Sequence, residues 1–204
     1  FARQARLAFI ARAFLRTLVD AGYYTSENVD TFMQGISTVS SEFNDDFERF
    51  SEGLISREEF NFKYGHLRSG TYDIRSDRYD AMNFRPAPSR IKKDKVKIQK
   101  DLDISILTQA LEDTQLDVPA ERMAKFWISA IEQREYFKFE FTKSLSMVLE
   151  LIRKLGSILE IRTMDLSWLC VDDFKLYESG CDPENLKKLW MKLITKRRRL
   201  NHDS

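Results

Sequence analysis

Apolar positions recur at three- and four-residue intervals through most of this chain, the spacing of amphipathic helices rather than strands. Leu7, Ile10, Phe14 and Leu18 form the first stripe, and Gly22 ends it. Ser26 is placed to cap the next helix, with Val29, Phe32, Met33 and Ile36 inward. Val39, Phe43, Phe47, Phe50 and Leu54 make a third stripe. Ser56 followed by Glu59 has capping-box spacing and opens a short helix that stops before Gly65. Further on, residues 101–114 read as a helix on Leu102, Ile106, Gln109 and Ala110.

Pro119 then suits the first turn of a long helix, where its missing N–H costs nothing. Its apolar positions run Phe126, Trp127, Ala130, Ile131, Phe137, Phe141, Leu145, Val148, Ile152, Leu155 and Leu159. Such a helix would extend about 50–60 Å, more than a small domain's diameter. It is expected to be a spine from about Pro119 to Leu155, with Trp127, Phe141 and Ile152 buried and Gly156 ending or bending it. Asp165–Leu169 reads as a turn and 172–178 as a brief helix. Asp182-Pro183 is a cap and first-turn proline for a last helix, with Leu186, Leu189, Trp190 and Leu193 inward. The expected fold is all-α: a multi-helix domain packed on one long central helix, with a long ordered loop near residues 64–84.

That loop interrupts the helical spacing. Tyr64-Gly-His-Leu-Arg-Ser-Gly-Thr-Tyr-Asp-Ile-Arg-Ser-Asp-Arg-Tyr79 packs two glycines, three tyrosines, one of two histidines and three arginines into one non-periodic run. Gly65 and Gly70 are expected there for backbone conformations that other residues avoid. Pro86 and Pro88 follow, then a lysine-rich stretch, so 84–100 is expected as a basic connector between an N-terminal helical subregion, 1–83, and a C-terminal one, 101–204.

Composition narrows the function classes. Lys and Arg number 33 against 32 Asp and Glu, a net charge of +1, which supplies no global field for nucleic acid or a membrane surface. The basic runs at 91–100 and 196–199 read as a solvated linker and a helix end. Two cysteines, Cys170 and Cys181, define neither a disulfide framework nor a zinc site, and Cys170 lies in apolar sequence as a small core residue would. A reducing, cytoplasmic setting is the default, and no apolar run approaches the roughly twenty residues of a membrane span.

The loop holds the chemistry-bearing side chains. His66 can serve as a general acid–base or phosphate ligand, or as an imidazole satisfied by its Tyr, Asp and Arg neighbours. Arg68, Arg75 and Arg78 can grip an anion bidentately, or scaffold the loop against Asp73, Asp77 and Asp80. The scaffold reading expects both Arg68 and Asp73 to be needed for stability. Arg134, Glu135 and Lys138 share the spine and read as a solvated face. No catalytic or metal-binding set is identifiable.

Two motifs carry a family resemblance. Gly-His-Leu-Arg-x-Gly-Thr-Tyr-Asp-Ile-x-Ser-x-Arg-Tyr-Asp, at 65–80, resembles a motif in the central helical region of phosphoenolpyruvate-utilising phosphotransferases, the phosphoenolpyruvate synthase and pyruvate phosphate dikinase-like enzymes related to rifampicin phosphotransferases. Glu132-Gln-Arg-Glu-Tyr-Phe-Lys-Phe-Glu-Phe-Thr-Lys-Ser-Leu-Ser146, with Asp165-Leu-Ser-Trp-Leu169 after it, is similar to later segments of the same region, in the same order. The resemblance covers about Phe1 to Trp190 and is weakest between Asn83 and Asp101.

It implies a fragment of a larger enzyme that would lack the ATP-grasp and phosphohistidine domains. Those domains, on the same polypeptide, would be its partners, with ATP and magnesium as cofactors of the whole. Phosphate would pass from ATP to a histidine on a mobile domain, and then to an acceptor such as pyruvate. His66, Arg68, Tyr72, Asp73, Arg78, Arg134 and Lys138 would then line an acceptor site or a domain interface, without turnover of their own. The contrasting expectation is a free-standing helical adaptor that binds a protein partner through exposed aromatics and basic ends.

Overall fold

A computed structural model describes residues 2–82, 102–175 and 182–202. All regular structure among them is helical apart from one isolated bridge. The elements are α1 (Ala2–Asp20), α2 (Ser26–Gly35), α3 (Val39–Ser51), α4 (Arg57–Tyr64), α5 (Ile104–Asp113), α6 (Ala120–Ile158), α7 (Thr163–Leu166), α8 (Val171–Lys175) and α9 (Pro183–His202). The expected connector at 84–100 lies outside the described residues. The chain divides into two compact units, one of residues 1–60 with 85–141 and the other of 61–84 with 142–204. Each takes sequence from both sides of the 84–100 stretch.

In the first unit, α1 buries Ala8, Ala11 and Leu15, flanked by half-buried Leu7, Phe14 and Leu18, while Ile10 faces solvent. Small alanines let neighbours approach α1 closely, so its inner line runs one residue off the stripe of larger side chains. Gly22 follows with a φ of +81°, the left-handed conformation that favours glycine after a helix. Thr25, not Ser26, caps α2: its hydroxyl accepts from the Asn28 backbone N–H, and the Asn28 side chain accepts from Thr25 N–H at 3.0 Å. Thr38 and Ser41 repeat the device at α3. Phe43, Phe47 and Phe50 of α3 close around Phe60, with ring centroids 5.0–6.0 Å apart, whereas Leu54 lies beyond the helix and is exposed.

Asp103 caps α5, whose inner residues are Leu107, Ala110 and Leu111; Gln109 is exposed. The Tyr24 hydroxyl donates to the Asp103 carbonyl at 2.6 Å, and burial, with the nearby Asp103 charge, pushes that phenol up to about 12. The first part of α6 supplies Ala120, Ala124, Trp127, Ala130 and Ile131 to the same core, with the Trp127 ring 6.5 Å from Phe14.

The second unit is built on the later part of α6, residues 142–158. Leu149, Ile152 and Leu155 pack on a core of Ile74, Leu159, Ile161, Leu166, Leu186, Trp190 and Ile194. Gly156 lies inside α6, which runs on to Ile158, so it does not end the helix. A Cβ there would stand 2.4 Å from Leu166 Cδ1, so the missing side chain lets α7 lie against α6. Helix α6 closes instead at Glu160, in the left-handed region, where Ile161 N–H donates to the Gly156 carbonyl at 2.7 Å. The expected turn at Asp165–Leu169 begins inside α7. The expected helix at 172–178 is α8 as far as Lys175, and its remainder lies outside the described residues.

Asp182 caps α9, accepting from the N–H groups of Glu184 and Asn185 at 3.0 and 3.1 Å. Leu186, Trp190 and Ile194 face inward.

One expectation about α6 fails. Phe137, Phe141 and Val148 are each at least 40% exposed, and Ile152 is only half-buried. The inner line of the second unit runs through Thr142, Ser146 and Leu149 instead. At roughly 100° per residue, Phe141 and Val148 point well to one side of that line. Thr142 and Ser146 are thus buried at positions outside the expected apolar stripe. Cys170 is also exposed, not core.

Candidate functional site

The 65–82 loop is folded back on itself. An isolated antiparallel bridge joins Arg68 to Arg78; Tyr79 N–H donates to the Leu67 carbonyl at 2.9 Å, and Asp80 N–H to Gly65 at 3.1 Å. Gly65 makes this possible through close approach, not through a left-handed φ. A Cβ there would lie 2.4 Å from the Asn61 carbonyl oxygen and 2.9 Å from Asp80 Cβ. A single 3-10 turn at Tyr79–Ala81 closes the segment.

One face of α6 receives this loop. Thr142, Ser146 and Glu150 recur at four-residue spacing and so lie one above the other on the helix. His66 Nε2 is 3.2 Å from Thr142 Oγ1. Arg68, its side chain 1% exposed, donates from Nε to Ser146 Oγ at 3.4 Å, from Nη1 to the Ser76 carbonyl, and from Nη2 to Glu150 Oε1 at 2.6 Å. Arg153 extends the row, reaching Asp77 at 3.0 Å and Glu150 at 3.4 Å. Arg68 therefore holds both limbs of the loop to the helix. A planar guanidinium with five N–H donors suits that task, because it satisfies a carbonyl, a hydroxyl and a carboxylate together.

The other candidates in this unit are arranged differently. Asp73 grips Arg75 through both carboxylate oxygens and also accepts from Arg75 backbone N–H at 2.9 Å. These bonds to Arg75 hold its carboxyl below the usual range. The pair lies at the surface and ties the loop only to itself. Arg78 and Asp80 pair across two residues at 2.5 Å. Tyr72 stands out from the loop, 66% exposed. Arg134 and Lys138 belong to the first unit. There Arg134 pairs with Glu135 and sits 5.9 Å from the Phe9 ring centroid, and Lys138 is exposed.

Beside the loop lies an open cleft of about 980 Å³. Its floor is Leu145, Leu149 and Ile152 of α6; residues 166–171 and Phe174 form one wall, and Gly70–Arg75 form the rim. The lining is mainly apolar, with Thr71, Tyr72 and the Asp73–Arg75 pair among its polar members. Such a cleft can bind and orient a partly apolar group. Among the described residues no cluster of His, Cys, Asp or Glu is arranged to hold a metal.

Thr142, Ser146 and Glu150 were missed in the sequence. Their signal was a four-residue repeat of polar side chains on an amphipathic helix. The chain matches no protein-family model, no curated protein and no solved structure. No helix among the described residues is long and apolar enough to cross a membrane.

Proposed function

We propose that this chain is a helical, acceptor-side module of a multidomain phosphotransferase similar to phosphoenolpyruvate synthase and pyruvate phosphate dikinase. The observation that carries the reading is the division of labour within the loop whose sequence bears the resemblance. Arg68 and His66 are spent on docking the loop to α6, while Thr71 and Tyr72 reach the rim of an apolar cleft. A loop held this firmly presents its rim in one geometry, which is what positioning an acceptor needs. The module positions and does not turn over; ATP and magnesium would be held by the ATP-grasp and phosphohistidine domains of the same polypeptide.

The encoding gene, read in both directions, tests this. ATP-grasp and phosphohistidine segments in the same frame are expected; stop codons flanking the present ends would overturn the reading and leave a free-standing adaptor. In the complete enzyme, Tyr72→Ala should raise the acceptor KM several-fold while ATP-dependent labelling of the carrier histidine is unchanged. An unaltered KM rejects the acceptor-side role.

A further inference from the structure

The basic run near the chain's end is not one block in three dimensions. Arg197 turns inward and meets both oxygens of buried Asp173, at 2.5 and 3.0 Å, and also donates to the Trp168 carbonyl at 2.8 Å. Arg198 pairs with buried Asp165, and Lys187 with Glu160 at 2.6 Å. These cations are structural. Lys188, Lys192, Lys196 and Arg199 are different: all four are exposed, and their spacing of four, four and three residues sets them on one outward stripe of α9. Lys188 has one open contact, to Glu184 at 3.6 Å, with both side chains largely in solvent. Lys192, Lys196 and Arg199 make no ion pair among the described residues.

Several helical charges elsewhere pair with an opposite charge three residues away, as in Arg49–Asp46 and Lys175–Asp172. Like charges at four-residue spacing weaken a helix. The helix dipole favours a cation in the last turn, which accounts for Arg199 but not for Lys188 or Lys192. Beyond Lys188, which has Glu184 at 3.6 Å, the face carries no paired charge among the described residues.

We propose that the Lys188–Lys192–Lys196–Arg199 face of α9 docks an acidic α-helix of a protein partner. Lys188, Lys192 and Lys196 rise by about 6 Å from one to the next, the rise between carboxylates four residues apart on another helix, and Arg199 follows at about 4.5 Å. A nucleic acid fits less well. The stripe is one side chain wide, carries no aromatic ring on which a base could stack, and belongs to a chain of net charge +1. A membrane surface fits less well too, since interfacial helices need a broad apolar face toward the lipid, and the apolar face of α9 is spent on Leu186, Trp190 and Ile194 in the core. This inference does not depend on the phosphotransferase reading.

The test uses the full chain and a fluorescein-labelled, alanine-based helical peptide with glutamate at every fourth position, read by anisotropy. The wild-type chain should bind it, more weakly as salt rises from about 50 to 200 mM, because exposed charges are screened. Lys192→Glu with Lys196→Glu should weaken binding at least about tenfold, two exposed pairs being turned from attraction to repulsion. Lys125→Glu, an exposed lysine in the first unit, should leave binding unchanged. A peptide with lysine in place of glutamate should bind the double variant better than the wild type, and an unchanged far-ultraviolet circular dichroism spectrum checks that the variant is folded. Equal binding by wild type and double variant, or no binding by either, overturns the proposal. So does tighter binding of oligothymidylate or of phosphatidylserine vesicles than of the acidic peptide.

Discussion

Arg68 and Glu150 meet at 2.6 Å, with the guanidinium wholly enclosed and the carboxylate still partly wet. That asymmetry limits the desolvation cost, because only one of the two charges has left water. Removing Arg68 strands the Ser76 carbonyl and the Ser146 hydroxyl, and leaves Glu150 with Arg153 at 3.4 Å as its remaining partner. Arg68→Ala should therefore cost about 3 kcal/mol. Arg68→Lys should recover only part of it, since an ammonium cannot span all three acceptors. Urea melts of the three proteins check this; an alanine variant as stable as the wild type would remove Arg68 from the scaffold.

Asp73 should behave otherwise. Its partner Arg75 is two residues away and half exposed, so Asp73→Ala should lower stability far less than Arg68→Ala does. The expectation from sequence that Arg68 and Asp73 act alike thus separates into a tertiary clamp and a local tie. A loss from Asp73→Ala as large as that from Arg68→Ala would contradict this division.

Gly65 has no room for a side chain. Gly65→Ala would drive a methyl toward the Asn61 carbonyl and Asp80 Cβ, costing about 1–3 kcal/mol through overpacking. Thermal unfolding should show a lowered Tm, and amide exchange should rise at Tyr79 and Asp80, whose N–H groups close the loop.

Trp127 is fully enclosed between α1 and α6 in the first unit. Trp127→Ala should cost about 3–5 kcal/mol as a large-to-small core change. Phe141→Ala, at a site expected from the pattern to be just as buried but in fact 44% exposed, should cost far less. Denaturant midpoints of the two variants give the comparison directly.

Asp173 supplies a pH signature. Its hydrogen bonds from Arg197, with a further one from Cys170 N–H, hold its carboxyl down at about 2. A depressed folded pKa adds stability that is complete above the unfolded value, about 3.9, and disappears as pH falls through about 2. Asp173→Asn should therefore be less stable than wild type at pH 6, and the gap should narrow between about pH 4 and pH 2. A gap independent of pH across that interval would mean that the ion pair contributes nothing through its charge.

Helix existence was legible from local sequence because it depends on local matters: apolar spacing, capping residues and prolines. The Ser56–Glu59 box and the Asp182-Pro183 start are examples, each complete within four residues. The boundary at Thr25 rather than Ser26 shows the limit, since neighbouring hydroxyls compete for one cap. Much of the loop's role was legible too, in its density of arginine, carboxylate and glycine. Only tertiary structure decided which face of α6 turns inward at Thr142 and Ser146, and which arginine is a clamp. It likewise sorted Arg197 and Arg198 from the outward cations beside them. Those outcomes depend on partners 24 to 82 residues away, such as Glu150 for Arg68 and Asp173 for Arg197. A polar side chain reads as exposed until the group that satisfies it is known, and that group is brought near only by folding.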